Sequence, residues 1–343
     1  MISRRHFLTA TAGAAALASN MTVASADAGQ VVVGTWGGDY GQLLSDLIDK
    51  PLLAPKGIEV VQDVAVADPR KTKLLAERES RRGSMDVACL SDVDAYLVAS
   101  MNTFETIDAA RVPRLDKVFA ELRTETAIPH IYSAQVILYN TNQVKVPPVG
   151  YADLWDPKWK GRVGLADVLW SANTLAAALA GGGGVSNLDP AEKKLMEWRS
   201  LDVKIYPSNE ALAAALKSEE VWLTVMWLAR GFMWKKSGIP LSHVIPKEGA
   251  ASIVFEASVP RNARNKDGGF TYLNAMLDPK AQIAFADKMG YVPTVTDAAL
   301  PEDLAKQVSL SEADRAKLLK PDYKYYAERS PRTLDFWNKQ FKG

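Results

Sequence analysis

Strand-like and helix-like segments alternate along most of this 343-residue chain. Short apolar runs at 31–36, 58–66 and 85–90 are each followed by a segment whose apolar residues have helical spacing. A second series of this kind begins near position 162. This alternation predicts βα units on a largely parallel sheet. A chain of this length favours two lobes over a single core, and we expect strands near 134–139 and 253–259 to run between them.

The first 28 residues have the pattern of an export signal. Arg4 and Arg5 precede a weakly apolar, Ala-rich stretch that ends in a small-residue cleavage site at 24–26. The run at 3–8, SRRHFL, resembles a twin-arginine signal, with a general secretory signal as the alternative. The apolar stretch has about half the length that spans a bilayer. We therefore expect cleavage of the signal and a periplasmic protein.

Composition argues against several classes of function. The chain has 41 Lys plus Arg and 40 Asp plus Glu, a formal charge of +1, so nothing indicates a nucleic-acid partner. Its one cysteine, Cys89, lies in an apolar run and is predicted to be a buried structural thiol. The sequence has no zinc-protease, serine-hydrolase or P-loop motif, and the glycines at 34, 37 and 38 predict a tight turn. We expect no catalytic residues, no cofactor and no metal.

Aromatic and charged residues occur where the predicted strands end, which is where α/β folds bind ligands. Each has an ordinary alternative role, as core, helix cap or surface ion pair. Together they predict a cleft with aromatic walls and a few charges, which suits an organic ammonium ion. The candidate ligand-binding residues are Trp36, Asp39, Tyr40, Asp92, Asp167, Trp227, Arg230, Glu256 and Tyr291.

Five segments within 31–326 carry a family resemblance. They are TWGGDYGQLL at 35–44, DLWDPKWKGRVGLAD at 153–167, NEALAAALKSEEVWLTVMW at 209–227, IPKEGAASIVFEASVPRNARN at 245–265 and MGYVPT at 289–294. In this order, and behind an export signal, they resemble the extracellular solute-binding proteins of ABC importers, in the branch of the spermidine/putrescine receptors.

The resemblance implies a two-lobed α/β periplasmic-binding-protein fold of type II, with crossing hinge strands and a cleft between the lobes. The first lobe is predicted at 29–135 plus 260–300, and the second at 136–259 plus 301–343. It also implies a monomer that closes around a small solute and docks on a membrane permease driven by an ATPase. A ligand that bridges both lobes binds the closed state better and shifts the equilibrium toward it.

The identity of the ligand stays open at this level. Polyamine receptors hold methylene chains on aromatic residues and amino groups on carboxylates, so a polyamine or another organic amine is favoured. The chain departs from that pattern at Ile253 and Phe255, where those receptors carry a Trp and an Asp, and at 91–93, where they carry a tyrosine. Arg230 could instead pair with a carboxylate or phosphonate.

A zwitterionic amino acid derivative, a carboxylate or phosphonate, or ferric iron are therefore the alternatives, with an exported enzyme the least favoured. Iron would need clustered Tyr or His ligands, and the pair Tyr325–Tyr326 is read as packing.

Overall fold

The computed structural model describes residues 29–343, so the predicted export signal lies outside the described part. Its strands form one sheet in which β2-β1-β3-β9-β4-β7-β5-β6 are neighbours in that order. The strands are β1 (Gln30–Thr35), β2 (Glu59–Val64), β3 (Val87–Ser91), β4 (Ile128–Asn140), β5 (Val163–Ala166), β6 (Lys204–Tyr206), β7 (Leu223–Trp227), β8 (Leu241–Val244), β9 (Ala250–Ser258), β10 (Val292–Pro293) and β11 (Leu318–Leu319). The helices are α1 (Gly38–Leu44), α2 (Ala67–Glu77), α3 (Asp92–Ser100), α4 (Trp170–Ala180), α5 (Asp189–Ser200), α6 (Asn209–Lys217), α7 (Leu228–Lys236), α8 (Lys266–Met276), α9 (Pro279–Met289), α10 (Glu302–Val308), α11 (Glu312–Arg315) and α12 (Tyr323–Phe336).

Parallel pairing occurs within each lobe, as the alternation predicts. In the first lobe β1 pairs in parallel with β2 and β3. In the second lobe β5 pairs in parallel with β6 and β7. Each of these strands is short and largely apolar, and helices follow β1, β2, β3, β5 and β7.

Two long antiparallel strands, β4 and β9, cross between the lobes. The first part of β4 pairs with β9 and β10, and its second part pairs with β7 and β8. Strand β9 begins beside β11 and ends beside β3 of the first lobe. The prediction of strands that run between the lobes is confirmed.

The hydrophobic core divides in the same way. One buried cluster surrounds β1, α8 and α9, and a second surrounds α4, α5 and the C-terminal helix α12. A third cluster covers the crossing strands on one side. Cys89 is completely buried, which confirms its predicted burial, and burial raises the pKa of its thiol to about 11.

Helices α7 and α8 are not predicted from the sequence patterns. Helix α7 follows β7 without a turn, because Trp227 is both the last residue of the strand and the N-cap of the helix. In the part of the chain that the structure describes, no helix has the length and apolar character needed to cross a membrane.

Candidate functional site

A cavity of about 590 Å³ lies where the two lobes face each other, and we call it the inter-lobe cavity. Residues 91–94, at the end of β3, line it on the first-lobe side. Residues 168–172, after β5, and Trp227, at the end of β7, line it on the second-lobe side. The carboxyl ends of three parallel strands therefore meet at this cavity, which is the usual ligand position in α/β folds.

The inter-lobe cavity carries more carboxylates than cations. The ammonium of Lys71 lies 2.9 Å from the carboxylate of Asp68 and 2.8 Å from that of Asp94. Asp92 is 2% exposed and accepts a hydrogen bond of 3.0 Å from the Tyr323 hydroxyl. Burial raises the pKa of Asp92 to about 6. Three carboxylates against one ammonium make this cavity attractive to a cation.

Two tryptophans and two polar groups without partners complete the lining. Trp170 and Trp227 are partly exposed and line the cavity. The buried amide of Gln135 donates through Nε2 to the carbonyl of Ala172 at 2.6 Å, while its Oε1 has no partner among residues 29–343. The buried hydroxyl of Tyr326 also has none there. Buried polar atoms are normally satisfied, so these two are available to hydrogen-bond a molecule in the cavity.

A second cavity of about 350 Å³, which we call the aromatic cavity, has mostly rings and apolar side chains in its walls. The Phe255 ring lies edge-on to Trp36 and Tyr291, with centroid distances of 5.2 and 5.3 Å. Edge-to-face pairs of this kind are a favoured packing arrangement of aromatic rings. Its lining residues are Trp36, Gly37, Asp39, Tyr40, Ile131, Arg230, Met233, Phe255, Met289 and Tyr291.

Buried contacts hold these rings in place. The guanidinium of Arg70 lies 4.6 Å from the centre of the Trp36 ring and donates to the carbonyl of Cys89 at 2.5 Å. The Tyr40 hydroxyl and His130 Nδ1 share a hydrogen bond of 2.9 Å. Burial lowers the pKa of His130 to about 3, so its ring is neutral and supports Tyr40 without adding charge.

The two cavities adjoin on one face of the crossing strands. Ile131, Ser133 and Gln135 are alternate residues of β4 and so share a face. Ile131 lines the aromatic cavity and Gln135 the inter-lobe cavity. Between them, Ser133 Oγ accepts a hydrogen bond of 3.1 Å from the backbone of Ala229 in the first turn of α7. The N-terminus of α7 therefore stands between the cavities, with Arg230 on the aromatic side.

Most of the sequence-predicted site residues line these two cavities. The inter-lobe cavity contains Asp92 and Trp227. The aromatic cavity contains Trp36, Asp39, Tyr40, Arg230 and Tyr291. Contact of these residues with a ligand stays a prediction.

Glu256 lines neither of these two cavities. It lines a third cavity of about 220 Å³ together with Tyr132, Tyr323 and Lys320. Its neighbour on β9, Phe255, lines the aromatic cavity, and successive residues of a strand face opposite ways. Burial, and secondly the charge of Asp92, raise the pKa of Glu256 to about 8.

Asp167 is engaged elsewhere as well. Its carboxylate accepts hydrogen bonds of 2.7 Å from Trp337 Nε1 and 2.8 Å from Lys342 Nζ, both at the C-terminal end of the chain. The residues that follow it line the inter-lobe cavity, and Asp167 itself does not. This geometry gives the carboxylate a role in attaching the C-terminal segment to the second lobe.

Sequence reasoning did not select Gln135, Trp170 or Tyr326. A glutamine in the apolar run AQVILY was the available signal for Gln135, because a buried polar residue in a strand needs a partner. Trp170 begins a helix one short turn after the end of β5, which was also visible in the sequence. Nothing local distinguishes Tyr326, since it reaches the cavity from the C-terminal helix α12.

A metal site finds no support in the described residues. No group of three or more His, Cys, Asp or Glu side chains within 29–343 is placed to hold a metal ion. The rings of Tyr325 and Tyr326 lie 6.4 Å apart and pack on the second-lobe core, and the Tyr325 hydroxyl accepts from the backbone of Leu188. The ferric-iron alternative therefore has no candidate ligands at this pair.

The chain matches a family model over most of its length. Residues 58–312 match the model described as bacterial extracellular solute-binding protein. The spermidine/putrescine-binding periplasmic protein of Escherichia coli strain K12 is 30% identical over 217 residues, which make up 61% of this chain and 58% of that relative. The match thus spans less than two thirds of the relative.

Solved structures share the fold over nearly the whole chain. A structure described as a GABA receptor superposes with a TM-score of 0.78 at 23% identity, covering 90% of this chain and 96% of that one. The spermidine/putrescine ABC transporter substrate-binding protein of Streptococcus pneumoniae superposes with a TM-score of 0.74 at 19% identity, covering 92% and 99%. The two-lobed binding-protein fold that the sequence predicts is confirmed.

Proposed function

The chain belongs to the bacterial extracellular solute-binding proteins, and we propose that it is the receptor of an ABC importer for a small organic amine. The solute binds on the face of the crossing strands that carries both cavities. Because it contacts residues of both lobes, it stabilises the closed form over the open one. The closed form then delivers the solute, unchanged, to the permease.

The charge of the inter-lobe cavity carries this proposal. Asp68, Asp92 and Asp94 line this cavity with a single ammonium, that of Lys71, which is paired with Asp68 and Asp94, so a bound cation meets excess negative charge. Trp170 and Trp227 line the same cavity as these carboxylates, so their rings are available to a bound cation. A cation on an aromatic face gains about 0.5–2 kcal/mol, and the gain is largest where water is excluded.

The names of relatives support the amine as the solute class. Two similar curated proteins, from Escherichia coli and Salmonella typhimurium, are named spermidine/putrescine-binding periplasmic proteins. A periplasmic location for this chain also agrees with the export signal predicted at 1–28.

The remaining parts of the proposal follow from this role. A monomer is sufficient, since each chain carries both lobes, and its partners are the permease and ATPase subunits of the importer. The receptor needs no cofactor, no metal and no nucleic acid. It binds without catalysis, because a receptor must release the solute intact.

Binding to the mature, ligand-stripped protein tests the proposal. Linear diamines and polyamines, quaternary amines, amino acids, phosphonates, simple carboxylates and ferric citrate are compared by thermal shift and then by calorimetry. A ligand at a hundredfold excess over its dissociation constant adds about 2.7 kcal/mol to the free energy of unfolding. We expect shifts from amine-bearing compounds only, with a smaller radius of gyration in solution scattering. Shifts from anions alone, or chemical conversion of a bound compound, would contradict the proposal.

A further inference from the structure

Arg230 is a cation without a partner in a cavity wall. It lies in the first turn of α7, is half-buried, and lines the aromatic cavity with Tyr291 and Phe255. Among residues 29–343 it makes no hydrogen bond, ion pair or stacking contact. Burial raises the pKa of the nearby Tyr291 hydroxyl, and the positive charge of Arg230 partly offsets that rise. A guanidinium beside apolar rings gains most from an anion that enters the cavity.

The other cations near the site differ from Arg230 because they already have hydrogen-bond or ion-pair partners within the protein. Lys71 in the inter-lobe cavity is paired with two carboxylates. Arg70, behind Trp36, donates to two backbone carbonyls and is 1% exposed. Arg230 therefore supplies the free positive charge that a solute would meet between the two cavities.

The planar guanidinium of Arg230 and its surroundings favour the binding of an oxyanion. A guanidinium offers two parallel N–H donors that match a carboxylate, and such charge-assisted pairs are stronger than neutral hydrogen bonds. The N-terminal end of α7 adds positive potential at the same place. On either side of Arg230 lie carboxylates, with Asp39 exposed in the aromatic cavity and Asp92 and Asp94 in the inter-lobe cavity.

We propose that the solute is a zwitterion, an amine that also carries a carboxylate, and that Arg230 binds the carboxylate while the ammonium faces the acidic residues. This inference rests on the proposed amine-receptor function and narrows the solute from any organic amine to an amine that also carries a carboxylate. The rings of Trp36, Phe255 and Tyr291 then cover the apolar chain that separates the two charges. Arg230 is in this sense the residue that distinguishes an amino acid from a diamine.

A matched pair of ligands tests the inference. Putrescine and 4-aminobutyrate have the same chain of four carbons, and differ in that one aminomethyl end is replaced by a carboxylate. Calorimetry on the ligand-stripped protein should give at least about tenfold tighter binding of 4-aminobutyrate, since only its carboxylate can form a charge-assisted hydrogen bond with Arg230. Arg230→Gln should remove that preference and leave or improve the affinity for putrescine. Arg230→Lys should keep part of it, because an ammonium retains the charge without the planar fork.

Two controls make each outcome informative. Arg81→Gln removes the same charge from an exposed site outside the cavities and should leave both affinities unchanged. Thermal unfolding of Arg230→Gln should match the parent protein, since Arg230 has no protein partner to lose. Equal or tighter binding of putrescine by the parent, with no effect of Arg230→Gln, would overturn the zwitterion and leave the amine receptor intact. Binding of neither compound, nor of any other amine in the panel, would overturn both.

Discussion

The hydroxyl of Tyr323 donates a hydrogen bond of 3.0 Å to the buried carboxylate of Asp92. Tyr323 begins α12, whose later residues pack on the second-lobe core, whereas Asp92 begins α3 in the first lobe. The rings of Tyr323 and Tyr96 also lie 5.3 Å apart. The C-terminal helix α12 is thus tied to the first lobe beside the inter-lobe cavity.

Replacing Tyr323 by Phe should destabilise the protein without altering its fold. The substitution leaves Oδ2 of the buried carboxylate without the Tyr323 donor, while Oδ1 keeps the backbone N–H of Val93, and the loss costs roughly 1–3 kcal/mol of the free energy of unfolding. Urea denaturation at neutral pH, without ligand, measures the loss. Tyr326→Phe is the matched control, because its buried hydroxyl has no protein partner and its removal should be neutral or stabilising. Equal losses in the two variants would show that the bond to Asp92 contributes nothing.

Removing the Trp227 side chain should weaken solute binding more than it weakens the fold. Trp227 is only partly buried and lines the inter-lobe cavity, so its ring is available to a ligand. We expect Trp227→Ala to lower affinity by about 1–2 kcal/mol, roughly five- to thirtyfold, by calorimetry. Trp227→Phe keeps an aromatic face and should recover most of the affinity. Unchanged affinity in Trp227→Ala would remove this residue from the site.

Gln135 should bind the solute through its amide oxygen. The Oε1 atom is buried and has no partner in the described chain, although it faces a cavity of both lobes. Gln135→Leu removes this acceptor together with the Nε2 bond to Ala172. We expect at least about a tenfold loss of affinity with a modest change in stability. Asn173→Leu is the control, since Asn173 also has a buried oxygen without a partner but does not line the inter-lobe cavity; an equal loss of affinity there would argue against direct contact by Gln135.

Asp167 tests the sequence-based site assignment against the observed contacts. As a ligand residue, its loss would lower affinity; as the acceptor for Trp337 and Lys342, its loss would lower stability. We expect Asp167→Ala to cost roughly 1–3 kcal/mol of unfolding free energy, because the fully buried Trp337 loses its acceptor, and to leave affinity unchanged. Lys342→Ala, which breaks only the partly exposed ion pair, should cost less than about 1 kcal/mol.

The sequence predicts the fold well because its information is local. Alternating periodicities identify most strands and helices, and the apolar run at 134–139 identifies the second half of β4. The first half is missed because Pro129 and His130 interrupt the apolar pattern, and a bulge follows at that point. Helix α7 is missed because Trp227 ends a strand and caps a helix at once.

The site is predicted less completely because it depends on which face of the sheet each side chain lies on, and on contacts between residues far apart in the sequence. Glu256 and Phe255 are neighbours on β9, and a shift of one residue moves a side chain to the opposite face of a sheet. No sequence pattern at 250–258 reveals which face meets the cavities. Asp167 is correctly placed at a strand end, but its partners Trp337 and Lys342 follow about 170 residues later and occupy its carboxylate.

Glu256 should make the stability of the protein depend on pH between about 4.5 and 8. Its pKa rises from an ordinary 4.5 to about 8, first because of burial and then because of Asp92. Between these values the folded protein holds a proton that the unfolded chain has released. The contribution of Glu256 to the free energy of unfolding is therefore largest below pH 4.5. It falls as the pH rises from 4.5 to about 8 and is lost above that.

The variant Glu256→Gln should flatten that dependence. It keeps the size of the side chain and removes its titration, so the variant should gain stability over the parent protein at pH 8 and show little gain at pH 4.5. Each unit of pKa difference corresponds to about 1.4 kcal/mol, so the gain should be readily measurable by urea denaturation across the range. Glu121→Gln is the control, since Glu121 lines the same third cavity but is exposed. Parallel stability curves for the parent and Glu256→Gln would show that Glu256 stays ionised in the folded protein. That result would contradict the raised pKa expected from its burial and from the charge of Asp92.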